Sequence, residues 1–175
     1  VLFLALLYAT AALIAPFAVH AAYIARDDSQ PGEVFFVYDD VEKFPRWIFT
    51  LGLYRISLTA RERFGPDAVV ALKLSPEAIQ RACAEGRFLF LATHGKTDGL
   101  LYKGTWIKPE DVAAMEMNPN LQYVHLTSCD SGAQREAWEE AFAPARVVTF
   151  ERLTAIVEHA YWLWFKGPQI IRELK

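Results

Sequence analysis

The chain has 175 residues, of which 53% are hydrophobic and 22% charged, with a formal net charge of −3. One domain fits that length, and the apolar share excludes an intrinsically disordered chain. The slightly acidic balance argues against a nucleic-acid binder that works by phosphate neutralisation, and two cysteines are too few for a disulfide framework or a zinc ribbon.

Residues 1–25 (VLFLALLYATAALIAPFAVHAAYIA) carry no Asp, Glu, Lys or Arg. At about 1.5 Å per residue they are long enough to cross a bilayer as a helix. Pro16 would kink that helix without forbidding it. A membrane anchor is therefore expected. One alternative is a secretory signal cut near Val19-His20-Ala21; a buried helix is disfavoured because no polar face exists. Arg26 is followed at once by Asp27 and Asp28, so the positive-inside rule does not hold this end in the cytoplasm. The domain is expected on the extracytoplasmic side, or secreted if the leader is cut. Residues 26–32 (RDDSQPG) read as a linker, leaving a single domain over 33–175. Without the leader the hydrophobic share falls to about 47%, ordinary for a soluble domain.

The domain alternates strand-like and helix-like segments. Residues 34–38 (VFFVY) form a continuous apolar run, as expected for a buried parallel strand. Apolar residues at helical spacing predict a helix over 45–64, ended by Gly65-Pro66. A second strand is predicted over 67–74. Ser75-Pro76-Glu77 then opens a helix that Gly86 stops. The third strand (88–92, FLFLA) leads into Thr93-His94-Gly95. Residues 99–107 read as a hairpin turning at Lys103-Gly104, and a short helix follows from Lys108 to about Met115. After a break at Pro119-Asn120 a fourth strand (123–127, YVHLT) runs into Ser128-Cys129. A helix over 134–142, a fifth strand over 146–150 (RVVTF), an aromatic helix over 153–166 and a short closing helix after Gly167-Pro168 complete the chain. This alternation predicts an α/β domain with a mainly parallel sheet of about five strands covered on both faces.

In an open α/β sheet, sites lie beyond the carboxyl ends of the strands. His94 follows the third strand and Cys129 the fourth. An imidazole can take a thiol's proton during attack and return it to a leaving amine. The backbone N–H groups of Gly95 and Cys129 stand where they could face a developing oxyanion. Considered singly, each side chain is more often structural: a small buried thiol, a satisfied imidazole. The placement at two strand ends makes the pair a candidate site.

At these residues the sequence resembles the clan CD cysteine peptidases, the caspase-like group. The closest likeness is to CHAT-type domains, with legumain, gingipain and separase as relatives. FLFLATHG (88–95), Asp98, the GLLYKG excursion and residues 107–112 (IKPEDV) match up to the nucleophile strand. YVHLTSCDSG (123–132) resembles the small-residue–Cys–acid–Ser–Gly pattern, and RVVTF with HAYWLWFKGPQIIREL (159–174) resembles the fifth strand and closing helices. The likeness covers roughly residues 33–174, by pattern alone over 33–86.

The resemblance implies a three-layer α/β/α fold and a Cys/His dyad. Cys129 would be the nucleophile, His94 the general acid/base, and the Gly95 and Cys129 N–H groups the oxyanion hole. No metal or organic cofactor is implied, and the partner would be a peptide or protein substrate. Departures from the group are Ser128 at the small position, a compact His-to-Cys interval of 35 residues, and a chain that is short after the fifth strand.

Asp98 and Asp130 are candidates for attracting a basic substrate residue, against the plainer roles of turn-former and helix-start acid. A zinc site from His125, Cys129 and His94 is disfavoured. Cys83 reads as packing, although a Cys83–Cys129 disulfide is conceivable outside a cell. His159 among Tyr161, Trp162, Trp164 and Phe165 reads as core or interface. The expected function is a membrane-anchored cysteine peptidase. The alternatives are an inactive caspase-like interaction or regulatory module at the membrane, and a thiol hydrolase or acyltransferase acting on non-peptide amides.

Overall fold

Strands in this domain arise from apolar runs too short for a helix and flanked by turn residues. The computed structural model describes residues 32–39, 43–151 and 156–174, with Phe3, Leu6, Ala9, Thr10 and Ile14 of the leader. In chain order the elements are β1 (Val34–Tyr38), α1 (Lys43–Phe64), β2 (Val69–Lys73), α2 (Pro76–Glu85), β3 (Phe88–Ala92), β4 (Gly95–Lys96), β5 (Gly99–Tyr102), β6 (Thr105–Ile107), α3 (Pro109–Ala113), β7 (Tyr123–Thr127), a 3₁₀ turn (Ser131–Gln134), α4 (Arg135–Ala141), β8 (Arg146–Val148), α5 (Ile156–Phe165) and α6 (Gly167–Glu173).

Five strands form one parallel sheet in the order β2-β1-β3-β7-β8. Successive side chains of a strand point to opposite faces, and the sheet accordingly separates two cores. On one face Phe35, Val37, Leu89, Leu91, Val124 and Leu126 pack against Ile79, Ala82 and Cys83 of α2 and Trp138 of α4. On the other, Val34, Phe36, Phe88, Phe90 and Tyr123 pack against Ile56 and Ala60 of α1, Leu163 of α5 and Ile171 of α6. The expected α/β class with helices on both faces is the observed one.

Local chemistry fixes the ends of α2. The Ser75 hydroxyl accepts from Ala78 N–H at 3.1 Å, and Pro76 starts the helix. Hydrogen bonding to its own backbone N–H and to Ser75 holds the Glu77 carboxyl below its usual range. The Gly86 N–H closes the helix onto Ala82 O, and a Cβ there would meet that oxygen at 2.6 Å.

Some boundaries differ from those expected. The second strand covers Val69–Lys73 rather than 67–74, and the fifth stops at Val148 because the Phe150 peptide turns aside to bond Ser131 and Gly132. The expected hairpin over 99–107 gains a third strand: β4, β5 and β6 make a small antiparallel sheet. Its turn falls at Lys103 (φ 48°) and Gly104 (φ 81°), as read from the sequence. The helix expected from 134 begins as a 3₁₀ turn at Ser131, and of the aromatic helix expected over 153–166, residues 153–155 lie outside the described residues.

The leader and linker, residues 1–31, lie outside the described residues apart from the five positions named. Those five are helical and exposed, with the Thr10 hydroxyl donating to Leu6 O at 2.8 Å. Among the described residues no helix is long and apolar enough to cross a membrane.

Candidate functional site

The carboxyl ends of β3 and β7 are side by side. Their register pairs Ala92 with Thr127. His94 and Cys129 each stand two residues beyond that last pair in the chain, past the ends of neighbouring strands. His94 is exposed and Cys129 half-buried. The sequence thus separates by 35 residues two side chains that the sheet delivers to one edge.

The His94 backbone is held from the excursion side. Leu101 N–H donates to His94 O at 2.8 Å, which starts the antiparallel pairing of β4 with β5. The Thr93 hydroxyl donates to Leu101 O at 3.0 Å. Gly95 then passes against the Ser128-Cys129 turn. A Cβ on Gly95 would meet Ser128 Cβ at 2.6 Å, Ser128 Oγ at 2.8 Å and Cys129 O at 2.9 Å. Only a residue without a side chain allows this approach.

Past Cys129 the chain turns sharply. Asp130 is left-handed (φ 54°, ψ 12°), a conformation that Asp tolerates better than most residues. Asp130 is half-buried and Asp98 is exposed in the turn between β4 and β5. Thr127 and Ser128 are buried, and neither hydroxyl has a hydrogen-bond partner among the described residues. Buried polar atoms without a hydrogen-bond partner among the described residues also occur away from this turn, at Arg87 Nε, Gln134 Oε1 and Thr149 Oγ1.

The other cysteine is a different kind of group. Cys83 is buried between α2 and the sheet, and burial pushes its thiol up to about 12. Neither cysteine is in a disulfide, so the conceivable Cys83–Cys129 bridge is not formed. Cys83 packs, as expected.

His125 lies on the face of β7 shared with Tyr123 and is fully buried. Its Nδ1 is 3.3 Å from Tyr123 Oη, and its ring centroid is 4.2 Å from that of Trp162, 5.5 Å from Phe150 and 6.1 Å from His159. Burial, with the nearby His159, holds its pKa well below the usual 6.5. His159 and Trp162 therefore belong to the core, whereas Tyr161 and Phe165 on the outer side of α5 are exposed. Among the described residues no group of three or more His, Cys, Asp or Glu side chains is placed to hold a metal ion. A groove of about 420 Å³ runs along β8, lined by Arg135, Glu139 and residues 145–148; neither His94 nor Cys129 lines it.

Sequence reasoning passed over Ser131, which is part of the SCDSG text but was assigned no task. Its contacts reach across the chain to Phe150, and only the hydroxyl type at that position hinted at them. The sequence matches no protein-family model and no curated protein.

Proposed function

We propose that residues 33–175 form a caspase-like cysteine peptidase domain of three-layer α/β/α build. In this reading Cys129 is the nucleophile and His94 the general acid/base. The observation that supports it is the close approach of Gly95 to Ser128 and Cys129, which brings together the segments that follow two paired strands. Strand order is a weaker support, since flavodoxin-like sheets share it.

The chemistry runs in two halves. His94 accepts the Cys129 proton as sulfur attacks the scissile carbonyl. The resulting oxyanion is met by the backbone N–H groups of Gly95 and Cys129. On collapse the C–N bond breaks, His94 returns the proton to the departing amine, and a thioester remains on Cys129. Water, deprotonated by His94, then attacks the thioester and releases the acid and the thiol. Neither metal nor organic cofactor is needed for these steps. Asp98 and Asp130 flank the site and would favour a basic residue before the scissile bond. The uncharged leader would tether this domain to a membrane on its extracytoplasmic side, or release it as a secreted protein if cleaved.

A second reading keeps the fold and drops turnover, as an interaction or regulatory module. The five-stranded sheet favours it, because the edge strand β8 spans only Arg146–Val148 and supplies little wall for a substrate cleft. Covalent labelling separates the two. The full chain is treated with peptidyl chloromethylketones carrying Arg, Asp or Leu before the ketone and then mapped by mass spectrometry. The peptidase reading expects an adduct at Cys129 that His94→Ala removes. No adduct, or one that persists in His94→Ala, would leave the module in its place.

A further inference from the structure

Ser131 is 2% exposed, and its hydroxyl is paired both as donor and as acceptor. It donates to Ser128 O at 3.1 Å and accepts from Phe150 N–H at 3.2 Å. The first bond closes the chain around Cys129 and Asp130. The second ties that closed turn to the residue two beyond β8. A parallel link lies beside it, since Gly132 N–H donates to Phe150 O at 2.8 Å. Gly132 packs so closely there that a Cβ would meet Glu151 Cγ at 2.6 Å and the Phe150 carbonyl carbon at 2.8 Å.

Three hydrogen bonds and two close approaches thus converge on the nucleophile turn. On one side Gly95 presses on Ser128 and Cys129 O. On the other, Ser131 and Gly132 hold Phe150. The left-handed Asp130 leaves the turn no regular ladder of its own, so its shape depends on these neighbours.

We propose that Ser131 is a positioning residue for Cys129. Its hydroxyl bridges the carbonyl just before the thiol and the backbone just after β8, and so sets where Sγ stands relative to His94. The proposal rests on Cys129 being the nucleophile. Ser131 touches no reacting atom and acts only through the turn. Its loss is expected to disturb steps that need an aligned carbonyl and leave simple thiol chemistry nearly intact, because rate falls steeply with small misplacements of reacting groups.

The test compares two reagents on the full chain. Peptidyl chloromethylketones require an aligned site, whereas iodoacetamide requires only an accessible thiolate. Ser131→Ala is expected to slow chloromethylketone labelling of Cys129 about tenfold while alkylation by iodoacetamide changes by less than about threefold. Ser131→Thr, which keeps the hydroxyl, is expected to recover most of the lost rate. Circular dichroism on the same samples reports the fold. Unchanged chloromethylketone labelling in Ser131→Ala, with His94-dependent labelling of the wild type, overturns the proposal alone and leaves the dyad standing. An equal fall with both reagents also overturns it, since that marks general loosening. Absence of chloromethylketone labelling in the wild type removes the dyad and this proposal together.

Discussion

Gly95→Ala is expected to slow alkylation of Cys129 by a peptidyl chloromethylketone about a hundredfold. The added methyl would sit 2.6 Å from Ser128 Cβ and 2.9 Å from Cys129 O. Neither neighbour is the far end of a flexible side chain, so the strain cannot be relieved by a rotamer change. Either the nucleophile turn moves away or the His94–Gly95 segment does. Both motions separate the proposed base from the thiol, and both displace the Gly95 N–H from an oxyanion. The second-order rate of inactivation by a peptidyl chloromethylketone measures the effect. Gly104→Ala is the natural control. Unlike Gly95 it has a positive φ (81°), but a Cβ there meets open space at the hairpin tip, so the substitution burdens only that turn. A rate for Gly95→Ala within about threefold of that for Gly104→Ala would show that the close contact has no bearing on the thiol.

Acid should destabilise the fold through His125. The imidazole is buried among aromatic rings, and its pKa lies well below the 6.5 of an exposed group. In the unfolded chain it takes up a proton near pH 6.5; in the folded chain it stays neutral to lower pH. The unfolded state therefore binds more protons in that window, and stability rises with pH there. The contribution is complete above about pH 6.5 and is lost as pH falls from there through the lower folded-state value. The slope for one such group is at most about 1.4 kcal/mol per pH unit and is approached only below pH 6.5, so going from pH 7 to pH 5 costs at most about 2 kcal/mol. The Tyr123 hydroxyl beside it does not titrate in this range, because burial raises its pKa further. Urea denaturation at pH 7.0, 6.0 and 5.0 measures the slope. His125→Phe is expected to flatten it. A wild-type stability that stays level from pH 7 to pH 5 would show that the ring is charged in the folded protein or lies open to water.

The buried strands were legible because their runs are apolar without interruption. VFFVY and FLFLA have no polar residue to place on a solvent face, so they had to be covered on both sides. The start of α2 was equally legible, since Ser75, Pro76 and Glu77 each act within one turn. The end of the fifth strand was not. RVVTF looks like five strand residues, but Phe150 gives its N–H to a hydroxyl 19 positions away, and no local pattern encodes that. β4 was missed for a similar reason: Gly95-Lys96 has no strand character and pairs only because Leu101 bonds the His94 carbonyl. At the site, the placement of His94 and Cys129 at neighbouring strand ends followed from the alternation of elements. The surroundings of His125 did not, because Phe150, His159 and Trp162 reach it from later elements.

The small antiparallel sheet has a consequence for how such a domain can change. β3 and β7 pair directly, so everything between them is a detour that leaves the sheet at His94 and returns at Tyr123. The detour's tip, Lys103-Gly104, is exposed and already turned by its own backbone. Closing a longer loop there costs only about 0.6 kcal/mol for each doubling of length. New residues can therefore be added at this tip while the two strands beneath keep their register. The tip is the point at which this chain can grow in length without disturbing the pairing of β3 with β7.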